Sequence, residues 1–290
     1  MIIKFVSKNK IVLLTLIIVS IACYFNNYDQ NPLVLIGFAL LMWISIFFAN
    51  SCAYYFQAPS ENKNIAAFML AFFSFNIYPD LKTLLFSLIL IFVFCQTINF
   101  INYPKQFNKN KIFNLSLFFA FVSSFYPSMI VFILLLVYTF KEKIQNIVLV
   151  LFAYVIAIYL FFMTNIFIFH NNFISTLHKF IVWTNKNANF FFSYYWFFVI
   201  IIFLSSLFYI IIKAPNEIKG RQTLWTTILF TFLGIINNTF ISYKATIITL
   251  FGLSLILSYF FYTVKTKWWL KDLIFILILT LNLVFAFKVI

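Results

Sequence analysis

Residues 82–101 read KTLLFSLILIFVFCQTINFI, and their one charge, Lys82, stands at the first position. Such a run has no polar face to offer water. A helix of twenty residues is about 30 Å long, which is the thickness of a bilayer's hydrocarbon core. In lipid every backbone N–H and C=O must bond within its own segment, so the run reads as a membrane-spanning helix. Continuously apolar runs recur on both sides of it, near 10–25, 33–55, 65–78, 110–125, 128–140, 146–169, 193–213, 222–239, 245–263 and 268–288. The chain therefore reads as an all-α membrane protein of about eleven transmembrane helices. Residues 1–290 form a single polytopic domain. Ten-residue strands of alternating polarity, the mark of an outer-membrane barrel, are absent.

Composition agrees. Of the 290 residues, 64% are apolar and 9% charged, against about 25% charged in a soluble domain. The net charge of +14 does not form a basic stripe interleaved with exposed aromatics, so nucleic acid is not an expected partner. Basic residues lie between the apolar runs instead. With the N-terminus inside, fifteen of the twenty fall in inner segments and five (Lys82, Lys179, Lys186, Lys244, Lys288) in outer ones. That asymmetry is the positive-inside pattern of a multi-pass protein of the bacterial inner (cytoplasmic) membrane. Residues 11–25 are expected to stay as the first span, although Ser20-Ile21-Ala22-Cys23 has some likeness to a lipoprotein cleavage box.

The sequence also repeats. Phe73-Ser74-Phe75-Asn76-Ile77-Tyr78-Pro79 is echoed 48 positions later by Phe121-Val122-Ser123-Ser124-Phe125-Tyr126-Pro127. Proline lacks an amide donor and disfavours helix in the residue before it, so each Tyr-Pro reads as a bend at the outer face. Two helical hairpins packed side by side, 65–101 and 110–140, are expected. The outer segment 170–192 carries Phe173, Ile174, Leu177, Phe180, Ile181 and Trp183 near helical spacing, as an interfacial helix would.

Few residues carry chemistry. No Gly-rich phosphate loop occurs, and neither His-Glu-x-x-His nor Gly-x-Ser-x-Gly, so no cofactor is expected. His170 and His178 lie eight apart with no carboxylate between them, which gives no metal site. Three cysteines without short spacing (Cys23, Cys52, Cys95) read as buried structural thiols. None of the six acids falls in mid-span, where proton-coupled transport would want one. Candidate ligand-binding residues are Asp80, His178, Lys179, Asn237, Asn238 and Lys244, all placed near the outer face. Asp29, in the first outer loop, would be the catalytic carboxylate of a transferase whose phosphate-bearing substrate meets those cations. Asn165, Asn237, Asn238 and Asn282 are expected to bond between helices.

Two resemblances follow from these residues. Asn62-Lys63-Asn64 with the run to Pro79, the basic loop Lys105–Lys111, Ile112-Phe113-Asn114 through Tyr126, Ser258-Tyr259-Phe260 and Lys267-Trp268-Trp269-Leu270 resemble an uncharacterised family of Bacteroidota polytopic inner-membrane proteins. That resemblance covers most of the chain and implies no activity. The short spans, outer-face breaks and basic inner turns look like the membrane core of the GT-C glycosyltransferases. This second resemblance implies use of a polyprenyl-phosphate-linked sugar through Asp29, although the first outer loop here spans only about residues 26–32. The function expected is a non-catalytic accessory or scaffold subunit of a cell-envelope membrane complex, with the bilayer and other membrane subunits as partners. A GT-C-like transferase is the alternative and a transporter the second alternative.

Overall fold

A computed structural model describes residues 3, 14, 17–18, 32–53, 64–73, 81–106, 108–125, 132–141, 143–163, 166–167, 194–212, 218–237, 246–263 and 267–286. Among them are ten α-helices and no strands: α1 Pro32–Ala53, α2 Asn64–Phe73, α3 Leu81–Asn102, α4 Lys109–Phe125, α5 Ile133–Thr139, α6 Ile144–Met163, α7 Tyr194–Ile212, α8 Ile218–Ile236, α9 Thr246–Thr263 and α10 Trp268–Ala286. A 3-10 turn, Pro104–Gln106, links α3 to α4. The bounds of α1, α3, α4 and α6–α10 fall within a few residues of the apolar runs. The expected first span, 10–25, and both Tyr-Pro bends lie outside the described residues.

Two described helices are long and apolar enough to cross a membrane: α3 over Leu85–Asn102 and α6 over Ile144–Met163. Of their apolar stretches, 28% of the residues of α6 and 44% of those of α3 are buried. On α6 the buried side is Asn146, Val150, Ala153, Tyr154 and Ala157, while Val148, Leu151, Phe152, Val155 and Tyr159 point outward. On α1, Ile36, Leu40, Trp43 and Phe47 form an outward stripe, each 56–59% exposed. Small and polar residues (Ser45, Ala49, Cys52, Ala53) are buried on the opposite side.

The centre is occupied by α2 and α9. Every residue from Ile65 to Phe73 is buried, and so is every residue from Ile247 to Tyr259. Apolar on all sides, α2 has no face to leave outside, so it is enclosed by α1, α9 and α10. Phenylalanine rings knit the layers together. Phe94 of α3 stacks on Phe230 of α8 at 4.2 Å between centroids, and Phe251 of α9 meets both rings edge-on. Phe275 of α10 packs against Phe68 of α2 and Phe261 of α9, each at 5.5 Å.

The two expected hairpins are corrected here. Among the described residues α2 packs on α1, α9 and α10 rather than on α3, and α4 packs chiefly on α6 rather than on α5. The reason is length and polarity. A ten-residue helix that is apolar all round belongs inside a bundle. Among the described residues of 128–140 the α-helix covers 133–139, and α6 is the helix that runs alongside α4.

Helix directions alternate in a way that collects the basic turns. Gly234 of α8 faces Thr249 of α9, and Gly252 faces Thr231, a register that requires α8 and α9 to be antiparallel. Phe68 meets Phe275 and Phe72 meets Asn282, so α2 and α10 run parallel. The turns after α3 and α5 and the start of α8 all meet at one end of the bundle, the lysine-rich end.

Candidate functional site

At that end each helix terminus must satisfy its free amides or carbonyls. Asn108 does so for α4: its Oδ1 accepts the Lys111 N–H at 2.9 Å, the usual bond of an Asn N-cap. At the start of α6 no described side chain supplies such a cap. There the Lys143 carbonyl accepts the N–H groups of Asn146 at 2.9 Å and Ile147 at 3.4 Å, and the lysine side chain can accept nothing. The end of α3 is tied to the start of α8. Lys219 Nζ donates to the Asn102 carbonyl at 3.1 Å. Asn102 Nδ2 donates to Ile98 O at 2.9 Å and to Thr223 Oγ1 at 3.3 Å. In the same way Lys271 Nζ donates to Phe261 O near the end of α9, at 3.3 Å. A cation at a helix C-terminus offsets the partial negative charge of the macrodipole.

Two cavities open between these termini. One, of about 310 Å³, lies between the end of α3, the end of α5 and the start of α8, with Tyr138, Lys141, Lys219, Gln222 and Thr226 on its walls. The other, of about 460 Å³, lies between the starts of α4 and α6, with Asn108, Lys109, Lys143, Gln145 and Asn146 on its walls. They adjoin across the shared walls of Phe100, Pro104 and Thr139. Lys141 Nζ sits 4.1 Å from the centre of the Tyr138 ring, a cation–π distance. Among the described residues the two cavities, together a groove at the lysine-rich end, are lined by four lysines and by no carboxylate; Glu142, between Lys141 and Lys143 in the chain, lies outside the described residues.

Of the residues the sequence singled out, Asp29, Asp80, His178, Lys179, Asn238 and Lys244 lie outside the described residues. Asn237 is fully buried just past the end of α8, at the opposite end of the bundle from the groove. Asn282, expected to bond between helices, does so: its Nδ2 donates to the Phe72 carbonyl at 2.9 Å. No group of three or more His, Cys, Asp or Glu side chains gathers for a metal among the described residues. Cys52 and Cys95 are buried free thiols, as expected. Their Sγ atoms lie 2.6 Å apart and join α1 to α3, a proximity that 43 intervening residues conceal.

Sequence reasoning named the basic loop 102–111 but missed its meeting with 138–146 and 219–226. One signal was available. Lys109, Lys143 and Lys219 each stand at the start of a helix that leaves the same face. Asp272 was also missed. It is only 7% exposed, and its Oδ1 accepts the Ile3 N–H at 3.1 Å.

No protein-family model, curated protein or solved structure matches the chain. The resemblance to the Bacteroidota family, like that to the GT-C core, rests on the sequence stretches alone.

Proposed function

We propose that this chain is a multi-spanning protein of the bacterial inner membrane, with about eleven transmembrane helices and a cytoplasmic N-terminus. It serves there as a non-catalytic accessory or scaffold subunit of a cell-envelope complex. The observation that carries the membrane reading is the outward apolar surface of α6, which is long, apolar apart from Gln145 and Asn146 in its first turn, and 28% buried. In water such an outward surface would drive aggregation; in lipid it has no cost. The helices α1, α3 and α6–α10 hold 18 to 22 residues, about 27–33 Å of helix.

The accessory role is supported by how the buried polar groups are used. Asn282, Asn102 and Asp272 each bond a group on another part of the chain. The α8 threonines Thr226, Thr227 and Thr231 bond carbonyls one turn back, which satisfies a buried hydroxyl without a ligand. These are the bonds of a bundle that holds its own shape. Outward stripes on α1 and α6 leave room for neighbouring subunits.

Purification from native membranes in mild detergent tests the role. A second membrane protein is expected to copurify in near-equal amount; isolation of this chain alone sinks the accessory role. In a deletion strain, Asp29→Asn should restore every phenotype. Failure to complement would instead move the reading to a GT-C-like transferase.

A further inference from the structure

We propose that Cys52 and Cys95 form a redox-active dithiol, which a peroxide closes into a disulfide that fastens α1 to α3. The pair's contact does not depend on the accessory role proposed above. Its reduced resting state does rest on the inner-membrane reading, because thiols near the cytoplasm are kept reduced.

Two observations set the pair in place. The first is the contact itself. The Sγ atoms lie 2.6 Å apart, one thiol donating to the other, although 43 positions separate them in the chain. The second is the seam around it. One turn before the sulfurs, Phe48 of α1 meets Phe92 of α3 at 6.1 Å between ring centroids. Residues 48 and 52 share one side of α1, and residues 92 and 95 share one side of α3. The aromatic pair and the thiol pair therefore report the same register. The two helices run parallel, and their packing presents the two sulfurs to each other.

Distance decides between the two things such a pair can do. A disulfide bond is about 2.05 Å long, so the sulfurs need to close by only about 0.5 Å from where they stand. A metal ion bound by both at about 2.3 Å would hold them about 3.8 Å apart in tetrahedral geometry, and α1 and α3 would have to separate. No third His, Cys, Asp or Glu joins them among the described residues. The packing thus favours oxidation over metal binding.

Access selects the oxidant and the order of events. Cys95 is 9% exposed and Cys52 1%, and Phe92, one turn from Cys95, is 37% exposed. A molecule as small as hydrogen peroxide can enter there, whereas a protein or glutathione thiol cannot. Cys95 sulfur attacks one peroxide oxygen and the O–O bond breaks. The other oxygen leaves as hydroxide, takes the thiol proton and becomes water, and Cys95 is left as a sulfenic acid. Cys52 sulfur then attacks Cys95 sulfur. The S–O bond breaks, and the departing hydroxide takes the Cys52 proton to form a second water. Two electrons pass from the two thiols to one peroxide. The sulfenic acid is formed already touching its resolving thiol, so the second step needs no encounter.

Thiol counting on the full chain in its native membranes provides the test, in a Cys23→Ala background so that only this pair is counted. Membranes are treated with about 1 mM hydrogen peroxide, quenched, dissolved in SDS and alkylated. Both thiols should be alkylated before treatment and neither after it, with the intact chain lighter by about 2 Da and still monomeric. Dithiothreitol should restore the thiols about tenfold faster in SDS than in the folded chain, since the bond is shielded until the helices part. With Cys52→Ala, Cys95 should stop at the sulfenic acid and be captured by a 1,3-dione. Ser51→Cys in the Cys52→Ala chain moves the thiol one position, to the exposed side of α1, and should form no bond to Cys95. Thermal melts show which variants are folded. Two thiols surviving peroxide in the folded chain overturn the proposal, as does equal bond formation by the Ser51→Cys control. A pair already bonded in membranes from unstressed cells overturns it too, because the bond would then be structural. If alkaline carbonate strips the chain from membranes, the membrane reading fails, a result separate from the thiol count.

Discussion

Asn282 and Asp272 fasten α10 near its two ends. Asp272 holds the Ile3 amide at the lysine-rich end, and Asn282 holds the Phe72 carbonyl ten residues further along. Phe72 is buried in the last described turn of α2, and Asn282 donates to its carbonyl from α10. Asn282→Leu keeps the volume and removes the donor. It should cost about 1–2 kcal/mol, read as a lower melting temperature in detergent. Thr280→Val, two residues away on the exposed side, should change the melt little, because its hydroxyl bonds only the Leu277 carbonyl of its own helix. An unchanged melt for Asn282→Leu would mean that the bond does not hold α10 to α2. The sequence made Asn282 legible as an interhelical donor, since an amide in an apolar run has little else to do. Its acceptor was not legible, because any of the bundle's terminal carbonyls would have served equally.

At the scale of elements, the tightest joint is built from glycine and threonine. A Cβ on Gly234 would stand 2.8 Å from Thr249 Oγ1. One on Gly252 would overlap Thr231 Oγ1 and lie 3.2 Å from Thr231 Cα. Each glycine thus receives a threonine of the partner helix, and the backbones of α8 and α9 approach closely, as small residues permit in membrane bundles. Gly252→Ala should force the helices apart at a cost of about 1–3 kcal/mol. Thr231→Ala in the same chain should recover part of it by removing the nearest atom. Melting curves of the single and double variants decide this; a Gly252→Ala chain as stable as wild type would show that the joint is looser than drawn. Glycine pairing of this kind cannot be read from a sequence with four glycines and no partner register. The burial of α2 was partly readable. Its run, NIAAFMLAFF, has no polar face, which marks a helix surrounded by others. The repeated Phe-x-x-x-x-Tyr-Pro ending drew attention to chain neighbours instead, and chain neighbours are not what α2 and α4 pack against.

For the whole molecule, the legible property was sidedness. Lysines stand at alternate turns, and the fold gathers the turns at 102–109 and 139–144 and the start of α8 at one end. The amide and carbonyl ends of the helices explain part of that placement, since Lys219 and Lys271 bond carbonyls at helix ends. The groove was not legible because its walls come from three segments up to 126 positions apart, from Phe100 to Thr226. Only the packing of α3, α5 and α8 brings those segments together. The orientation of that end can be measured directly. In a background with Cys23, Cys52 and Cys95 changed to Ala, Lys109→Cys and Lys141→Cys place single thiols on exposed positions beside the groove. A membrane-impermeant maleimide applied to intact spheroplasts should leave both unlabelled, and should label both once the membrane is opened. Lys179→Cys, in the expected outer segment, should label in intact spheroplasts. Labelling of Lys109→Cys or Lys141→Cys from outside would invert the molecule. The lysine end would then face the periplasm, where the positive-inside pattern could not account for its charge.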